Sequence, residues 1–187
     1  MALVKVVRPQ VAYTDLQQAP EDGRRYELYD GEVFVVPAPV PRHQRVAQNV
    51  YDLLRVYERA HGGMVFMAPT DIVFSEFEVV QPDVVFIKQS RLPLIDLSQP
   101  IRVAPDLAVE VLSPSTAITD RGKKMQMLAR YGVQEYWLVD PAPRTAEIYR
   151  LDEGNAYLLL QVAVESDEIR SLVLQDLLFP AHLLFEE

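Results

Sequence analysis

The sequence contains no cysteine and only three histidines among its 187 residues. The lack of cysteine excludes disulfide bonds, zinc–thiolate sites, iron–sulfur clusters and cysteine nucleophiles. The three histidines are His43, His61 and His182, which are far apart along the chain and show none of the short spacings of a zinc site. Soft metal ligands are therefore scarce in this protein.

Long apolar runs are also missing. No stretch approaches the roughly 18 apolar residues that a membrane span needs. The apolar stretch from Leu3 to Val7 is broken by Lys5 and followed by Arg8-Pro9, which makes it too short for the core of a signal peptide. With 49% apolar and 24% charged residues, the composition is that of an ordinary globular domain. We therefore expect one soluble cytoplasmic domain over residues 1–187, with no membrane partner.

The net charge of -9 argues at first against a protein that binds phosphate groups. The acidity is uneven, however, since residues 132–187 carry 3 basic and 11 acidic groups and residues 102–131 carry 5 basic and 3 acidic groups. Most of the negative charge therefore lies in the C-terminal part of the chain. The middle of the chain remains compatible with a nucleic-acid substrate.

Alternating hydrophobic patterns predict a mixed α/β domain rich in strands. Two β-prone runs around Asp30-Gly31 predict a hairpin, and apolar residues at helical spacing predict a helix from Arg42 to Ala60. A buried strand from Leu107 to Leu112, a helix over about 119–131 and a strand from Glu135 to Asp140 predict a strand–helix–strand unit. The other predicted strands cover Met64–Met67, Thr70–Phe74, Val79–Lys88 with an edge position or a bulge at Pro82, Thr145–Leu151, Ala156–Val164 and Ile169–Leu174.

Ionisable residues inside apolar elements indicate where chemistry could occur. Glu110 interrupts an apolar strand, Asp83 precedes another, and Lys124 lies among apolar helix positions. Because a buried carboxylate is costly unless something compensates it, such residues are candidates for a site. Two carboxylates beside an ammonium suit Mg²⁺ or Mn²⁺, with the backbone carbonyl of Val111 as an additional ligand. This set predicts phosphodiester hydrolysis, in which Lys124 orients water or offsets charge developing on phosphorus.

Structural explanations of the same residues stay open at this point. Glu110 could be neutralised by an internal arginine, Asp83 could cap a bulge after Pro82, and Lys124 could be a solvated helix lysine. His43 could be a helix cap rather than an acid–base or phosphate contact. Among the helix cations, Arg121 and Lys123 are either solvated or face phosphate groups.

Several segments together resemble the Uma-type family of putative bacterial restriction endonucleases. They are Pro82-Asp83, the run from Pro105 to Thr116, Asp120 with Lys124, and the run from Gly132 to Pro141. Tyr26-Glu27-Leu28, Asp30-Gly31-Glu32 and His43 also fit the family. The resemblance covers about residues 25–151, so that residues 1–24 form an N-terminal extension and residues 152–187 a C-terminal β meander.

That family belongs to the PD-(D/E)XK nuclease superfamily, which implies a restriction-endonuclease-like αβββαβ core and metal-dependent DNA cleavage. The resemblance assigns Asp83 to the PD element and Glu110 to the (D/E) position. Leu112 stands where the superfamily has lysine, and the resemblance assigns the role of that lysine to Lys124, with Lys123 as the other candidate. Glu27 matches an acidic family position that could approach the metal or hold Lys124.

The sequence therefore predicts a Mg²⁺-dependent endodeoxyribonuclease with DNA as its partner, in which Asp83, Glu110 and Lys124 are catalytic. Two other classes remain: a catalytically silent nuclease-fold module that binds or assembles, and a hydrolase acting on a non-nucleic substrate. Cleavage of both strands of a duplex would favour a homodimer.

Overall fold

A six-stranded sheet and a four-stranded sheet make up most of the protein in the computed structural model, which describes residues 10–18 and 22–187. The N-terminal extension predicted for residues 1–24 lies partly outside the described residues. In chain order the elements are α1 (Tyr13–Gln17), β1 (Arg25–Tyr29), β2 (Glu32–Val36), α2 (Pro41–His61), β3 (Met64–Met67), β4 (Ile72–Ser75), β5 (Glu78–Val80), β6 (Val84–Ile87), β7 (Leu107–Val111), α3 (Ala117–Thr119), a π-helical turn (Asp120–Lys124), α4 (Met125–Arg130), β8 (Glu135–Asp140), β9 (Thr145–Leu151), β10 (Tyr157–Val164), β11 (Glu168–Arg170) and β12 (Leu178–Pro180). Short 3-10 helices cover Gln89–Leu94 and Ala181–Phe185.

The large sheet has the strand order β10-β9-β8-β7-β6-β3. Its central pair, β7 and β8, is parallel, and all other neighbours are antiparallel. A parallel pair needs a crossover connection, which here consists of α3, the π-helical turn and α4. We call this continuous helical segment, residues 117–130, the cleft helix. The predicted strand–helix–strand unit is therefore confirmed.

Helices cover the two faces of the large sheet. Residues of α2 such as Val50 and Leu54 share one apolar cluster with alternate residues of the strands, including Val109 and Trp137. The cleft helix contributes to the cluster on the opposite face, which contains Ala108, Tyr136 and Leu138 from the intervening strand positions. Because side chains alternate across a strand, Glu110 lies on the same face as Ala108 and therefore on the side of the cleft helix.

The small sheet has the strand order β2-β1-β5-β4. Its β1–β2 hairpin is confirmed, and its turn residues Asp30 and Gly31 have φ values of 52° and 77°. Positive φ at both central positions is the backbone of the type I′ turn, which matches the twist of the flanking strands.

The predicted strand from Val79 to Lys88 is in fact two strands in different sheets. The chain leaves the small sheet after β5, turns through Gln81-Pro82-Asp83 and enters the large sheet as β6. β6 lies between β3 and β7, so the prediction of an edge strand or a bulge was wrong. Proline has no N–H for a ladder, and here it occupies the link between two sheets.

The C-terminal part differs from the prediction in a similar way. β9 and β10 extend the large sheet, whereas β11 pairs only with β12 in a separate two-stranded sheet. The strand predicted to run from Ile169 to Leu174 ends at Arg170. There the Ser171 hydroxyl accepts hydrogen bonds from the N–H groups of Val173 and Leu174, which turns the chain.

No helix within the described ranges, 10–18 and 22–187, is long and apolar enough to cross a membrane.

Candidate active site

Lys124 lies at the centre of a buried cluster of charged side chains. Its Nζ atom donates a hydrogen bond to Glu110 Oε1 at 2.8 Å and lies 3.0 Å from Glu27 Oε1 and 3.5 Å from Asp120 Oδ1. All four side chains are buried, with 2–4% of the residue surface exposed. These carboxylates come from β1, β7 and the cleft helix, so one ammonium group links both sheets and the helix between them.

Asp83 lies beside this cluster, in the turn that connects the two sheets. Its Oδ2 atom accepts a hydrogen bond from the backbone N–H of Val111 at 2.8 Å and lies 3.1 Å from His43 Nε2. Its Oδ1 atom faces Arg25 Nη1 at 4.0 Å. The hydrogen bond to Val111 ties the start of β6 to the end of β7, which brings Asp83 next to the end of the strand that carries Glu110.

Further hydrogen bonds fix the orientation of Glu27. The hydroxyl of Tyr29 donates to Glu27 Oε2 at 2.7 Å, and the backbone N–H of Gln81 donates to Glu27 Oε1 at 2.8 Å. Glu27 Oε1 therefore receives both this N–H and the ammonium of Lys124, and Glu27 has little freedom to turn towards another ligand. The structure thus places Glu27 as the group that holds Lys124, one of the two positions the sequence left open for it.

Asp120 is a member of the cluster that was not among the predicted site residues. Its Oδ2 atom is buried and has no hydrogen-bond partner among the described residues. Buried polar atoms are rarely left without a partner, and such an atom is therefore informative. A signal for Asp120 was present in the sequence, since residues four apart on a helix lie on the same side.

The cleft helix contains a π-helical turn at the positions that reach the cluster. The turn covers Asp120–Lys124 and is continued by α4 without a break. Single π-helical turns within α-helices are rare and occur frequently at functional sites. The turn carries both of the helix residues that belong to the cluster, whereas Met127 and Leu128 beyond it face the apolar core.

Negative charge exceeds positive charge at the cluster, and this shifts the pKa values. Burial raises the pKa of Glu110 well above its ordinary value; Lys124 opposes the shift, and Asp120, Asp83 and Glu27 add to it. Burial likewise raises the pKa of Asp120 against the effect of Lys124. For Lys124 itself, burial disfavours the ammonium, but the carboxylates of Glu110 and Glu27 outweigh it and hold the pKa well above its usual range. The carboxylates therefore favour the ammonium form of Lys124, and a second cation would compensate their remaining charge.

The cluster opens into a cleft of about 310 Å³. One wall is the connector between β2 and α2, which contains Pro37 and Pro39, and another is the segment from Ser113 to Thr116. The cleft is lined by all four members of the cluster, Glu27, Glu110, Asp120 and Lys124, and by the neighbouring Asp83 and His43. Asp83 and Glu110 therefore face the same space.

The donor set of this cleft suits a hard divalent cation. Within the described residues, no group of three or more His, Cys, Asp or Glu side chains is arranged to hold one ion. Magnesium usually needs fewer protein ligands, because it is commonly bound through one or two carboxylates and keeps several water molecules. The buried Asp120 Oδ2, which has no hydrogen-bond partner within the described residues, is an oxygen available to such an ion. The residues present therefore fit such an ion.

The two predicted phosphate contacts, Arg121 and Lys123, lie outside this cleft and have acidic partners. Both Nη atoms of Arg121 donate to the carboxylate of Glu147, at 2.6 and 2.7 Å. Lys123 lies 3.2 Å from Glu32 and over the ring of Phe34. Of the two candidate lysines, Lys124 is the one placed among the carboxylates. Arg25, which the sequence did not single out, approaches Asp83 instead.

In this protein, neighbouring strands of a mixed sheet bring an aspartate and a glutamate into one cleft beside a helix. This arrangement is that of the restriction-endonuclease-like class of folds. A solved structure supports that class: a putative nuclease belonging to DUF820 from Anabaena variabilis is similar over 94% of this chain and 97% of its own, with a TM-score of 0.76 and 20% identity. The chain belongs to the Uma2 family, described as putative restriction endonuclease, whose model matches residues 12–181. No curated protein matches it.

Proposed function

We propose that this protein is a metal-dependent endonuclease that hydrolyses phosphodiester bonds in DNA. The observation that carries the proposal is the buried ion cluster in which Glu110, Lys124 and the adjacent Asp83 line one cleft. Membership of the Uma2 family supports nuclease activity. Because the proposed substrate is DNA, we expect the protein to act in the cytoplasm.

Asp83 and Glu110 are the residues that would hold Mg²⁺ or Mn²⁺, and the backbone carbonyl of Val111 remains our proposal for an additional ligand. Asp120, with its partnerless Oδ2, is a further candidate. When bound, such an ion polarises the scissile phosphate and lowers the pKa of a coordinated water molecule.

The chain's own residues supply positioning and charge. Lys124 remains protonated because the surrounding carboxylates raise its pKa, so it acts as a cation and hydrogen-bond donor rather than as a base. From its place beside Glu110 it would orient the attacking water or stabilise charge developing on the phosphoryl oxygens. His43 Nε2 and the N–H of Val111 both contact Oδ2 of Asp83. The other carboxylate oxygen, Oδ1, faces Arg25.

Plasmid cleavage tests this proposal. Supercoiled plasmid is incubated with Mg²⁺ or Mn²⁺ and with the wild type, Asp83→Asn or Glu110→Gln. We expect the wild type to nick or linearise the plasmid and each variant to lose at least about 100-fold of this activity, the usual cost of removing a group that stabilises a transition state. Identical plasmid with all three proteins would refute the proposal.

A buried acid outside the cleft provides the matched control. Asp106 is 4% exposed, accepts a hydrogen bond from the N–H of Lys88 and pairs with Arg91 at 3.2 Å. Asp106→Asn should therefore carry the general cost of altering a buried carboxylate and retain cleavage. Thermal unfolding of each variant separates loss of folding from loss of chemistry.

The alternative is a catalytically silent module that uses the nuclease fold for binding or assembly. The presence of Asp83, Glu110 and Lys124 in one cleft argues against it, because a silent relative has no need to keep all three. DNA binding without cleavage under every divalent metal would favour the silent module.

Cutting both strands of a duplex would be served by a symmetric dimer, and β10 is the surface that we propose for it. Within the described residues β10 pairs only with β9, and it carries no charge from Tyr157 to Val164. Leu159, Val162 and Val164 are 50%, 54% and 45% exposed. In a two-fold symmetric dimer, each residue near the axis faces the same residue of the other subunit. An uncharged edge strand avoids repulsion between like charges there, which suits self-association of a chain of net charge -9.

The molar mass in solution tests the dimer. We expect the wild type to have twice the mass of one chain and Val162→Lys to be monomeric. Ile118→Lys, at a position 89% exposed on the cleft helix, is the control that should remain dimeric. A monomeric wild type, or a dimer that survives Val162→Lys, would contradict this assignment.

A further inference from the structure

The first turn of α2 carries charges opposite to those that a helix start favours. A helix N-terminus has a partial positive charge and is stabilised by Asp, Glu or a bound anion. The first five residues of α2 contain Arg42 and Arg45 and no acidic residue, and no side chain caps the N-terminus. Two cations at the positive end of a 21-residue helix are unfavourable unless an anion compensates them.

These two arginines are also exposed and have no acidic partner within 4.0 Å among residues 10–18 and 22–187. Arg121, Lys123 and Arg130, on the cleft helix, do have such partners in Glu147, Glu32 and Glu78. In a chain of net charge -9, an unpaired pair of arginines on one helical turn is therefore exceptional.

His43, between the two arginines, gives a second and independent observation. It is 8% exposed, and its Nδ1 atom is buried without a hydrogen-bond partner. Its Nε2 atom lies 3.1 Å from Asp83, so the histidine joins this turn to the candidate active site. A side chain that is nine-tenths buried, with one ring nitrogen unused, indicates that a partner is missing from this turn.

Surface depressions connect the turn to the active-site cleft. A second depression, lined by Arg25, Arg45 and His43, shares Asp83 with the cleft. A third depression is lined by Arg42 and Arg45 on the other side of the same turn. Arg45 therefore borders both the depression that reaches Asp83 and the third depression, and Arg42 borders the third.

We propose that the first turn of α2, with Arg42 and Arg45, binds backbone phosphates of the nucleic acid and guides a strand into the cleft. Backbone N–H groups at a helix start and arginine side chains are both common phosphate ligands. The chain offers both here, because the N–H groups of Arg42 and His43 precede the first hydrogen bond of the helix, which runs from the Gln44 N–H to the Val40 carbonyl. The inference rests on the proposed function for the identity of the substrate, but its test does not require cleavage.

Binding of a labelled 20-base-pair duplex in EDTA, measured by fluorescence anisotropy over a range of salt concentrations, tests the proposal. We expect Arg42→Ala/Arg45→Ala to weaken binding at least 10-fold at low salt. Because each phosphate contact contributes about 0.9 to the slope of log K against log salt, the double variant should also lose about two units of slope.

The control is a double variant with the same change in net charge. Arg59, near the other end of α2, and Arg170, at the end of β11, are exposed and have no acidic partner within the described part of the chain. Arg59→Ala/Arg170→Ala should bind within about twofold of the wild type and keep its salt slope. Thermal unfolding should show that Arg42→Ala/Arg45→Ala is at least as stable as the wild type, since it removes cations from a positive helix end.

Equal binding by the two double variants, or a wild type that binds no DNA, would overturn this inference. Cleavage by the wild type together with equal binding by both double variants would leave the nuclease proposal intact and refute only the arginine surface. Arginine-dependent binding without cleavage under any metal would refute the nuclease proposal and leave the surface in place.

Discussion

The ammonium of Lys124 compensates carboxylates that would otherwise be buried together. Glu27, Glu110 and Asp120 all lie within 3.5 Å of it. Removing one partner of a buried ion pair typically costs about 3–5 kcal/mol, because the remaining charge is left without compensation. The buried charge cluster of the candidate site is therefore also a determinant of stability.

We expect Lys124→Met to lower the free energy of unfolding by about 3–5 kcal/mol. Combining it with Glu110→Gln should restore part of the loss, since one of the uncompensated carboxylates is then neutral. Urea unfolding of the wild type, both single variants and the double variant gives the coupling energy, which we expect in the range of about 0.5–3 kcal/mol for contacting residues. Additive losses would mean that the two side chains do not interact.

The pair formed by Arg121 and Glu147 gives a prediction for pH dependence. Hydrogen bonds from Arg121 lower the pKa of Glu147 below its ordinary 4.5, against the opposing effect of partial burial. Since the pKa is lower in the folded protein, the pair stabilises the fold above the unfolded pKa, and this contribution is lost as the pH falls through the folded pKa.

Arg121→Ala should therefore be less stable than the wild type at pH 7, by up to about 1 kcal/mol for a partly exposed pair. The difference should shrink as the pH is lowered below 4.5, which thermal unfolding at a series of pH values would show. A difference that is constant from pH 7 to pH 3 would exclude Glu147 as its source.

At the scale of single residues, the sequence indicated part of the site. Asp83, Glu110 and Lys124 stood out because each is a charged residue within or beside an apolar element. Asp120 did not stand out, because its burial depends on the cleft helix packing against Glu27, which is 93 residues away in sequence. The sequence did not single out Arg42 and Arg45, since only the structure shows that they have no acidic partner within the described residues.

Two glycines, one in a helix and one just after a helix, differ in whether they can be replaced by a residue with a side chain. Gly122 lies in the π-helical turn, where an added Cβ would meet no atom within 4 Å. Gly63 follows α2 with a φ of 93°, and an added Cβ would lie 2.6 Å from Phe86 Cζ and 2.7 Å from the Ile87 carbonyl oxygen. The first position has space for a side chain, and the second has neither space nor a suitable backbone.

We expect Gly122→Ala to stabilise the protein by about 0.5–1 kcal/mol, because alanine loses less conformational entropy in a helix. Gly63→Ala should destabilise it by more than that amount. At about 2–4 °C per kcal/mol for a domain of this size, thermal unfolding should resolve melting temperatures that move in opposite directions. Destabilisation by Gly122→Ala would indicate that the π-helical turn requires a glycine.

Local patterns predicted most elements but not their membership of sheets. The β1–β2 hairpin followed from a two-residue turn, and α2 followed from its apolar stripe. The division at Pro82 could not be deduced, because a proline inside an apolar run is compatible with an edge, a bulge or a change of sheet. The π-helical turn was also not predicted, since a hydrophobic pattern with a period of 3.6 residues does not reveal a single widened turn.

Binding of a divalent metal should be visible as a change in the stability of the whole molecule. A ligand that binds only the folded state stabilises it by about 2.7 kcal/mol at 100 times its dissociation constant. We expect Mg²⁺ or Mn²⁺ to raise the melting temperature by roughly 5–10 °C, using about 2–4 °C per kcal/mol, and EDTA to reverse the shift.

Glu110→Gln and Asp83→Asn should abolish this metal-dependent shift, whereas Asp106→Asn should retain it. The measurement requires no cleavage and is therefore independent of whether a suitable DNA sequence has been found. A wild type whose melting temperature is the same in Mg²⁺, Mn²⁺ and EDTA would contradict metal binding at this cleft.

The distribution of charge over the whole molecule was only partly evident from the sequence. Segment counts located most of the acidity in residues 132–187 and left the stretch with Glu110 and Lys124 slightly basic. They could not show that Arg121 is paired with Glu147 from the acidic segment, because that contact joins the cleft helix to β9. Arg42 and Arg45, which have no acidic partner within the described residues, lie instead at the start of α2.

Because Lys124 joins Glu27 of the small sheet to Glu110 of the large sheet, the charged groups of the candidate site also connect the two sheets. If the proposed activity became dispensable in evolution, a descendant could not lose the lysine alone without weakening this junction. We expect such descendants to replace lysine and carboxylates together, by apolar residues that fill the same space. Family members that have lost the activity would then show apolar residues at the lysine and carboxylate positions together, rather than a substitution at only one of them.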